Sequence, residues 1–399
     1  MSRASALPRQ REFSAFLIAL ALLVPVLHIA HATGLRNTLA AAVAIWTLSL
    51  LARRRERSPL AGPVLAWLLI GAASSLWSPD AETTMKSVLT DIVMPLGAFY
   101  AAYLASQQPQ PFHNLTVVAL ASMGIVAAFT VVAFAAGLAE QLPVEQRAGP
   151  LYYYPGPGVA STLAIYATPF ALLLAGDPDR VQRALGYGGF VCILLAGLGS
   201  ANRMFWIAFA LALVTFHLWQ WSRYTVRQRY WIGVAILGLA VVAGAMVQHL
   251  NALRDPRDNA VDIRLQGWRE WGAIADDTLL HGHGFGKKIV REVRGNRLSE
   301  RLVSLDPHLQ SHGHNLFLNV VLQIGLLGLA ALCVLFGCLL RAAYNARDPA
   351  RLRVSAALAT LVIVMLAKNF TDDFMDQAVV IAFWIYAGML LGRLRATAG

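Results

Sequence analysis

The sequence predicts an all-α, polytopic integral membrane protein with about twelve transmembrane helices and one large, partly helical loop outside the membrane. Three observations carry that expectation: an apolar composition, a series of nearly uncharged stretches, and a lopsided distribution of arginine. Hydrophobic residues make up 57% of the chain and charged residues 14%, against about a quarter charged in a soluble domain. A bilayer is therefore the implied solvent.

The apolar stretches run over 13–32, 37–52, 60–77, 87–106, 115–138, 158–176, 184–200, 203–221, 231–250, 315–340, 353–370 and 377–392. Each has the shortage of charge, and close to the length, that a spanning helix needs. The first follows Arg3, Arg9 and Arg11 as a signal peptide would. It is long for one and lacks a small-residue cleavage site, so a retained helix is expected. The chain then divides into spans one to nine over 1–250, a loop over 251–314, and spans ten to twelve over 315–399.

A net charge of +11 looks like a nucleic-acid signature until the basic residues are placed on this topology. With the N-terminus inside, the inner segments hold 18 of the 33 Lys and Arg, including Arg53, Arg54, Arg55 and Arg57. The short outer segments hold 5, namely Arg36, Lys86, Arg147, Arg203 and Lys368. Basic residues are retained on the cytoplasmic side of short loops, so both termini are expected inside and 251–314 outside. No nucleic-acid partner is expected. Cys192, Cys333 and Cys338 all fall in spans, out of reach of an oxidising compartment, and are read as packing residues. A phosphate-binding glycine loop and an internal repeat are both missing, which weighs against an ATPase and against inverted-repeat transporters.

The loop differs sharply from the rest, with ten Lys or Arg, nine Asp or Glu and five His in 251–314. A loop of that length is functional or disordered. Apolar or Trp residues at 265, 268, 271 and 274 mark one face of a helix. Trp268 and Trp271 suit either the headgroup level of a bilayer or a plain packing stripe. Arg291, Arg294 and Arg297, spaced i, i+3 and i+6, would share a face if they lie on one helix.

The densest polar motif is Asp306-Pro307-His308-Leu309-Gln310-Ser311-His312-Gly313-His314-Asn315, which runs into an apolar stretch containing Gln323, Gly325 and Gly328. His314 would stand at the start of that helix, where unpaired amides attract phosphate and disfavour a protonated imidazole. A neutral histidine beside an anion site is what a general base requires. His312, two residues away, is the other candidate base, and the competing reading makes His314 and Asn315 plain helix caps. His281-Gly282-His283 and His312-Gly313-His314 have ligand-like spacing, but no Cys and no helical His pair accompany them, so no metal is expected.

Arginine supplies the third signal. Arg203 opens a span, Arg264 opens the amphipathic stretch, Arg147 precedes Tyr152-Tyr153-Tyr154, and Arg291 lies in the basic run. Singly these read as interfacial anchors or surface ion pairs; together on one side of the membrane they suggest a diphosphate site, since arginine binds phosphate bidentately. Asp372, Asp373 and Asp376 in the last outer loop either orient a histidine or are ordinary loop carboxylates. The spans themselves are nearly free of ionisable residues, Asp91 being the clearest exception, which weighs against transport.

These features together resemble the O-antigen ligases and related O-antigen polymerases of Gram-negative inner membranes. His314-Asn315-Leu316-Phe317-Leu318 is similar to the family's His-Asn-x-x-Leu segment, and Arg203-Met204-Phe205-Trp206 to its Ser-Arg-x-x-Trp element, with Asn202 in place of serine. Arg264-Leu265-Gln266-Gly267-Trp268 and Leu279-Leu280-His281-Gly282-His283-Gly284 resemble the elements that open the family's large periplasmic loop. The resemblance implies transfer of a glycan from undecaprenyl diphosphate to a sugar hydroxyl of lipid A-core at the periplasmic face of the inner membrane. It implies no cofactor. His314 would act as base, and Arg203 and Arg264 would stabilise charge on the diphosphate; Arg147 and Arg291 remain further candidates for binding it from the arginine pattern alone. Diphosphate leaves without a protonating carboxylic acid, so base and cations suffice, and a single displacement inverts the anomeric carbon. The rival readings are a polymerase, which shares the donor half of the reaction, and a lipid-linked oligosaccharide transporter.

Overall fold

The computed structural model describes residues 33–54, 60–136, 154, 156–252, 260–275, 278–294, 297–310, 313–374 and 377–397. Every regular element among them is helical. In chain order these are α1 (Thr33–Arg54), α2 (Ala61–Ala73), α3 (Ala81–Val88), α4 (Met94–Ala105) and α5 (Pro109–Ala135). Then come α6 (Pro157–Ala175), α7 (Arg180–Ser200), α8 (Arg203–Trp219), α9 (Val226–Ala252) and α10 (Ala260–Ala275). The rest are α11 (Lys287–Arg294), α12 (Glu300–Leu305), α13 (Leu316–Asn345), α14 (Leu352–Phe370) and α15 (Gln377–Ala396).

Among the described residues, eight helices are long and apolar enough to cross a membrane, with α3 and α4 counted as one through a π turn at Leu89–Val93. Of the remaining stretches in the sequence, 60–77 and 203–221 form shorter apolar helices, and 37–52 lies within α1. The first, 13–32, lies outside the described residues. This is a membrane protein. The clearest physical sign is α9, whose apolar window is only 6% buried by the rest of the chain. Trp231, Leu237, Val241 and Val242 stand exposed along it, an arrangement that is stable only where lipid replaces water.

The core is formed by α4, α6, α14 and α15, with α7 packed against both α5 and α6. Bilayer helices associate through close backbone approach rather than through apolar burial from water. Gly388 and Gly392, one turn apart on α15, meet the carbonyl oxygens of Phe99 and Tyr103 on α4 so closely that a β-carbon on either would collide. Gly388→Val is therefore expected to destabilise the bundle by about 1–3 kcal/mol. The readout is thermal unfolding in detergent, and a wild-type melting temperature would contradict the close-approach account.

A second feature positions the site. The helix α13 breaks at Ile324 and Gly325, where Gly325 has φ +68°. The loop Leu279–Gly286 docks into the break: His283 N donates to Leu322 O (3.0 Å), Gly284 N to Gln323 O (2.8 Å), and Leu326 N to Leu279 O (2.9 Å). The amide of Gly286 completes the seam by donating to Gln323 Oε1 at 2.8 Å. Irregular backbone is tolerated in a membrane bundle when protein partners satisfy it. Gly282 at φ +68° abuts the Gln323 carbonyl, and an L side chain fits neither that angle nor that space.

The amphipathic helix expected around 263–274 is α10, and its indoles pack on protein. Trp271 is fully buried and donates to Leu309 O at 2.9 Å, while Trp268 donates to Gly313 O at 2.6 Å. Packing against the segment that carries His314 gave both N–H groups carbonyl partners, so the packing reading holds. The basic face also needs correction. The helix α11 is described over Lys287–Arg294 and Arg297 lies beyond it in a different element, so Arg291, Arg294 and Arg297 do not share one described helix.

Candidate functional site

His314 and Asn315 have different jobs. Asn315 is the N-cap of α13, accepting from Leu318 N at 3.0 Å and donating to Phe370 O at 3.0 Å. His314 lies one residue before the cap with φ +46°, a left-handed conformation that costs a non-glycine residue roughly 1–2 kcal/mol. That conformation aims the imidazole between two carboxylates: Nδ1 is 3.2 Å from Asp372 Oδ1 and Nε2 is 3.1 Å from Asp306 Oδ2.

A closed circuit of hydrogen bonds fixes one side of this arrangement. Gly313 N donates to Asn319 Oδ1 (2.7 Å), and Asn319 Nδ2 donates to Asp373 Oδ2 (2.7 Å). Asp373 N donates to Asp372 Oδ1 (2.9 Å), which returns to His314. Lys287 anchors the circuit from α11, donating to Asp373 O at 2.9 Å and lying 3.4 Å from its carboxylate. The Asp373 carboxylate is 2% exposed, and a buried carboxylate is stable when it is paired and hydrogen-bonded, as here. Lys287 and Asp373 also line a cavity with Asp91, Gln323, Trp67 and Phe285. Asp91, on the π turn, thus shares a cavity with Lys287, Asp373 and Gln323, and a protein-lined cavity with polar neighbours is the usual setting for an ionisable residue in a span.

The proton affinity of His314 is pushed in the direction opposite to that expected from the helix N-terminus. Burial pulls its pKa down, but the hydrogen bonds and charges of Asp306 and Asp372 outweigh burial and hold it above the ordinary imidazole value. The helix N-terminus was expected to keep the ring neutral. Two carboxylates at hydrogen-bond distance override a helix dipole, which is worth about 0.3–1 kcal/mol.

A buried cation, Lys368, connects this cluster to the arginines. Lys368 on α14 is 2% exposed, donates to Asn202 Oδ1 at 3.1 Å and lies over the Phe374 ring. Its ammonium feels the charges of both Asp372 and Arg264. Asn202 is the N-cap of α8, and Arg203 is that helix's first residue. A cation there is opposed by the helix dipole, so helix stability does not account for it. Arg203, Arg264, Lys368, Asp372 and His314 are thereby linked through three helix ends. Arg291 is exposed on α11, and the contacts above do not include it. Arg147, His312 and Asp376 lie outside the described residues.

The histidines of 281–283 belong to the docking loop. His283 Nε2 is 3.1 Å from Thr278 Oγ1 and His281 Nδ1 is 2.8 Å from Gly282 O. Among the described residues no group of three or more His, Cys, Asp or Glu is placed to hold a metal ion. Sequence reasoning missed Lys368 and Asp306 as members of this cluster. Lys368 sits inside an apolar stretch and was counted only as an outer-loop charge. Asp306 opens the dense polar motif, eight residues before His314, and that proximity was the available signal.

Comparison with known proteins bears on the same segment. None of the curated proteins compared matches the chain. The family model described as O-antigen ligase matches residues 188–333, a stretch that contains Arg203, Arg264, Asp306 and His314 and ends before Lys368 and Asp372. The motif-bearing half of the cluster therefore lies in the stretch that is similar to the O-antigen ligase family.

Proposed function

We propose that this protein is an O-antigen ligase that moves a glycan from undecaprenyl diphosphate to a sugar hydroxyl of lipid A-core at the periplasmic face of the inner membrane. The observation that carries this reading is the juxtaposition, within and beside the family segment, of a histidine gripped by carboxylates and a set of cations around Asp372. His314 takes the acceptor proton, with Asp372 holding its ring through Nδ1 and Nε2, which faces Asp306, as the accepting atom. Arg203, Arg264 and Lys368 stabilise the negative charge that grows on diphosphate as the bond to the anomeric carbon breaks. Attack from the opposite face inverts that carbon. Both substrates are lipid-anchored, so a site at the ends of spanning helices lets each arrive by lateral diffusion.

The polymerase reading shares the donor chemistry and differs in the acceptor. The exposed cations of α11, Lys288 and Arg291, favour the ligase, because lipid A-core is phosphorylated and a second carrier-linked glycan is charged only at its diphosphate. The deciding assay supplies purified protein with carrier-linked glycan, with and without lipid A-core. Glycan joined to lipid A-core is the expected product; chain growth on the carrier with lipid A-core untouched would replace the ligase by the polymerase.

A further inference from the structure

The grip on His314 is symmetrical in distance but not in mobility. A ring nitrogen about 3 Å from a carboxylate oxygen carries hydrogen, because two acceptors facing each other repel. Nδ1 is hydrogen-bonded to Asp372 and Nε2 lies 3.1 Å from an Asp306 carboxylate oxygen, and two carboxylates that close favour an imidazolium at rest. An imidazolium has no lone pair and accepts no proton. One nitrogen must be uncovered before transfer.

Asp372 is the fixed partner. Its Oδ1 also accepts from Asp373 N, and Asp373 is tied to Asn319 and Lys287. Asp306 is the exchangeable one. It ends the six-residue helix α12, its N donates to Leu302 O at 2.9 Å, and its carboxylate is 27% exposed. Of the other charges nearby, Lys368 feels Asp372 and Arg264, and Asp373 pairs with Lys287.

We propose that Asp306 is a positioning and proton-exit residue, whose carboxylate covers Nε2 at rest and carries that nitrogen's proton away when the acceptor hydroxyl arrives. The transfer balances as follows. The Nε2 proton passes to Asp306, leaving a neutral carboxylic acid and a neutral imidazole with a lone pair on Nε2. That lone pair takes the hydroxyl proton as the acceptor oxygen bonds to the anomeric carbon. The carbon–oxygen bond to diphosphate breaks, and its electron pair leaves with the phosphate. Asp306 then yields its proton to outer water, and the imidazolium is restored.

This inference rests on His314 being the base, and the test separates the two claims. Full-length protein in nanodiscs is assayed for transfer across pH, and His314 is followed by 15N imidazole titration in the same preparation. Asp306→Asn keeps the shape and removes the charge. It is expected to move both the acid limb of kcat/KM and the His314 titration to lower pH by about one unit or more, while Asp306→Glu restores both toward wild type. An unmoved limb and titration in Asp306→Asn, with His314→Ala inactive, would overturn the role of Asp306 alone. Loss of transfer at every pH in both Asp306 variants, with His314→Ala still active, would make Asp306 the base and overturn both claims.

Discussion

His314→Ala is expected to lower glycan transfer by about two to four orders of magnitude, the usual worth of a general base, while the protein still purifies as a folded species. Removing the ring releases two carboxylates and leaves the left-handed backbone position as it was, and Asn315, which caps α13, is untouched. The helix start should therefore persist. The pH dependence follows from the direction of the shift. His314 is held above the ordinary imidazole value by Asp306 and Asp372, and a base works only when deprotonated, so wild-type transfer should rise with pH through that elevated value. Stability runs the other way. The ion pairs contribute fully below the unfolded-state value, about 6.5, and their contribution is lost as pH rises through the folded-state value. Thermal unfolding should show His314→Ala losing its deficit against wild type as pH is raised. Activity near the wild-type level in this variant would remove His314 as the base.

Arg264→Ala and Arg203→Ala are each expected to cost roughly 100- to 1,000-fold in turnover, the cost of removing one donor to developing charge. Both side chains are half-buried, and the buried Lys368 links their neighbourhoods, through Asn202 on one side and by charge on the other. Lysine in place of either arginine keeps the charge but loses the planar fork that binds phosphate bidentately, so it should rescue poorly. Single-turnover rates with carrier-linked glycan at saturation are the measurement. Full rescue by Arg203→Lys would identify Arg203 as a membrane anchor. An effect confined to donor KM would mean that the cations bind diphosphate without stabilising its departure.

Periodicity and composition made most of the helical architecture legible. A span announces itself locally, because hydrocarbon demands a run of apolar residues regardless of what packs beside it. The site was legible only where chemistry and sequence neighbourhood coincide. His314 stood out because polar residues crowd Asp306–Asn315, and Arg203 and Arg264 because arginines gathered on one side of the membrane suit a diphosphate. Lys368 was hidden in an apolar stretch. Its partners, Asn202 and the Arg264 charge, are more than a hundred residues away in sequence.

Sequence alone determined that this chain belongs in a membrane, that its polar chemistry is concentrated in 251–314, and that His314 and arginine are the groups to test. Tertiary structure decided the rest. The sequence reading of Trp268 and Trp271 stayed open because an amphipathic face does not say whether lipid or protein covers it, and the carbonyls of Gly313 and Leu309 settled it. The protonation of His314 was read from the nearest helix dipole, yet Asp306 and Asp372 reach the ring from opposite sides and reverse the sign. Charge at a site falls off with distance in space, and distance in space is what a sequence does not carry.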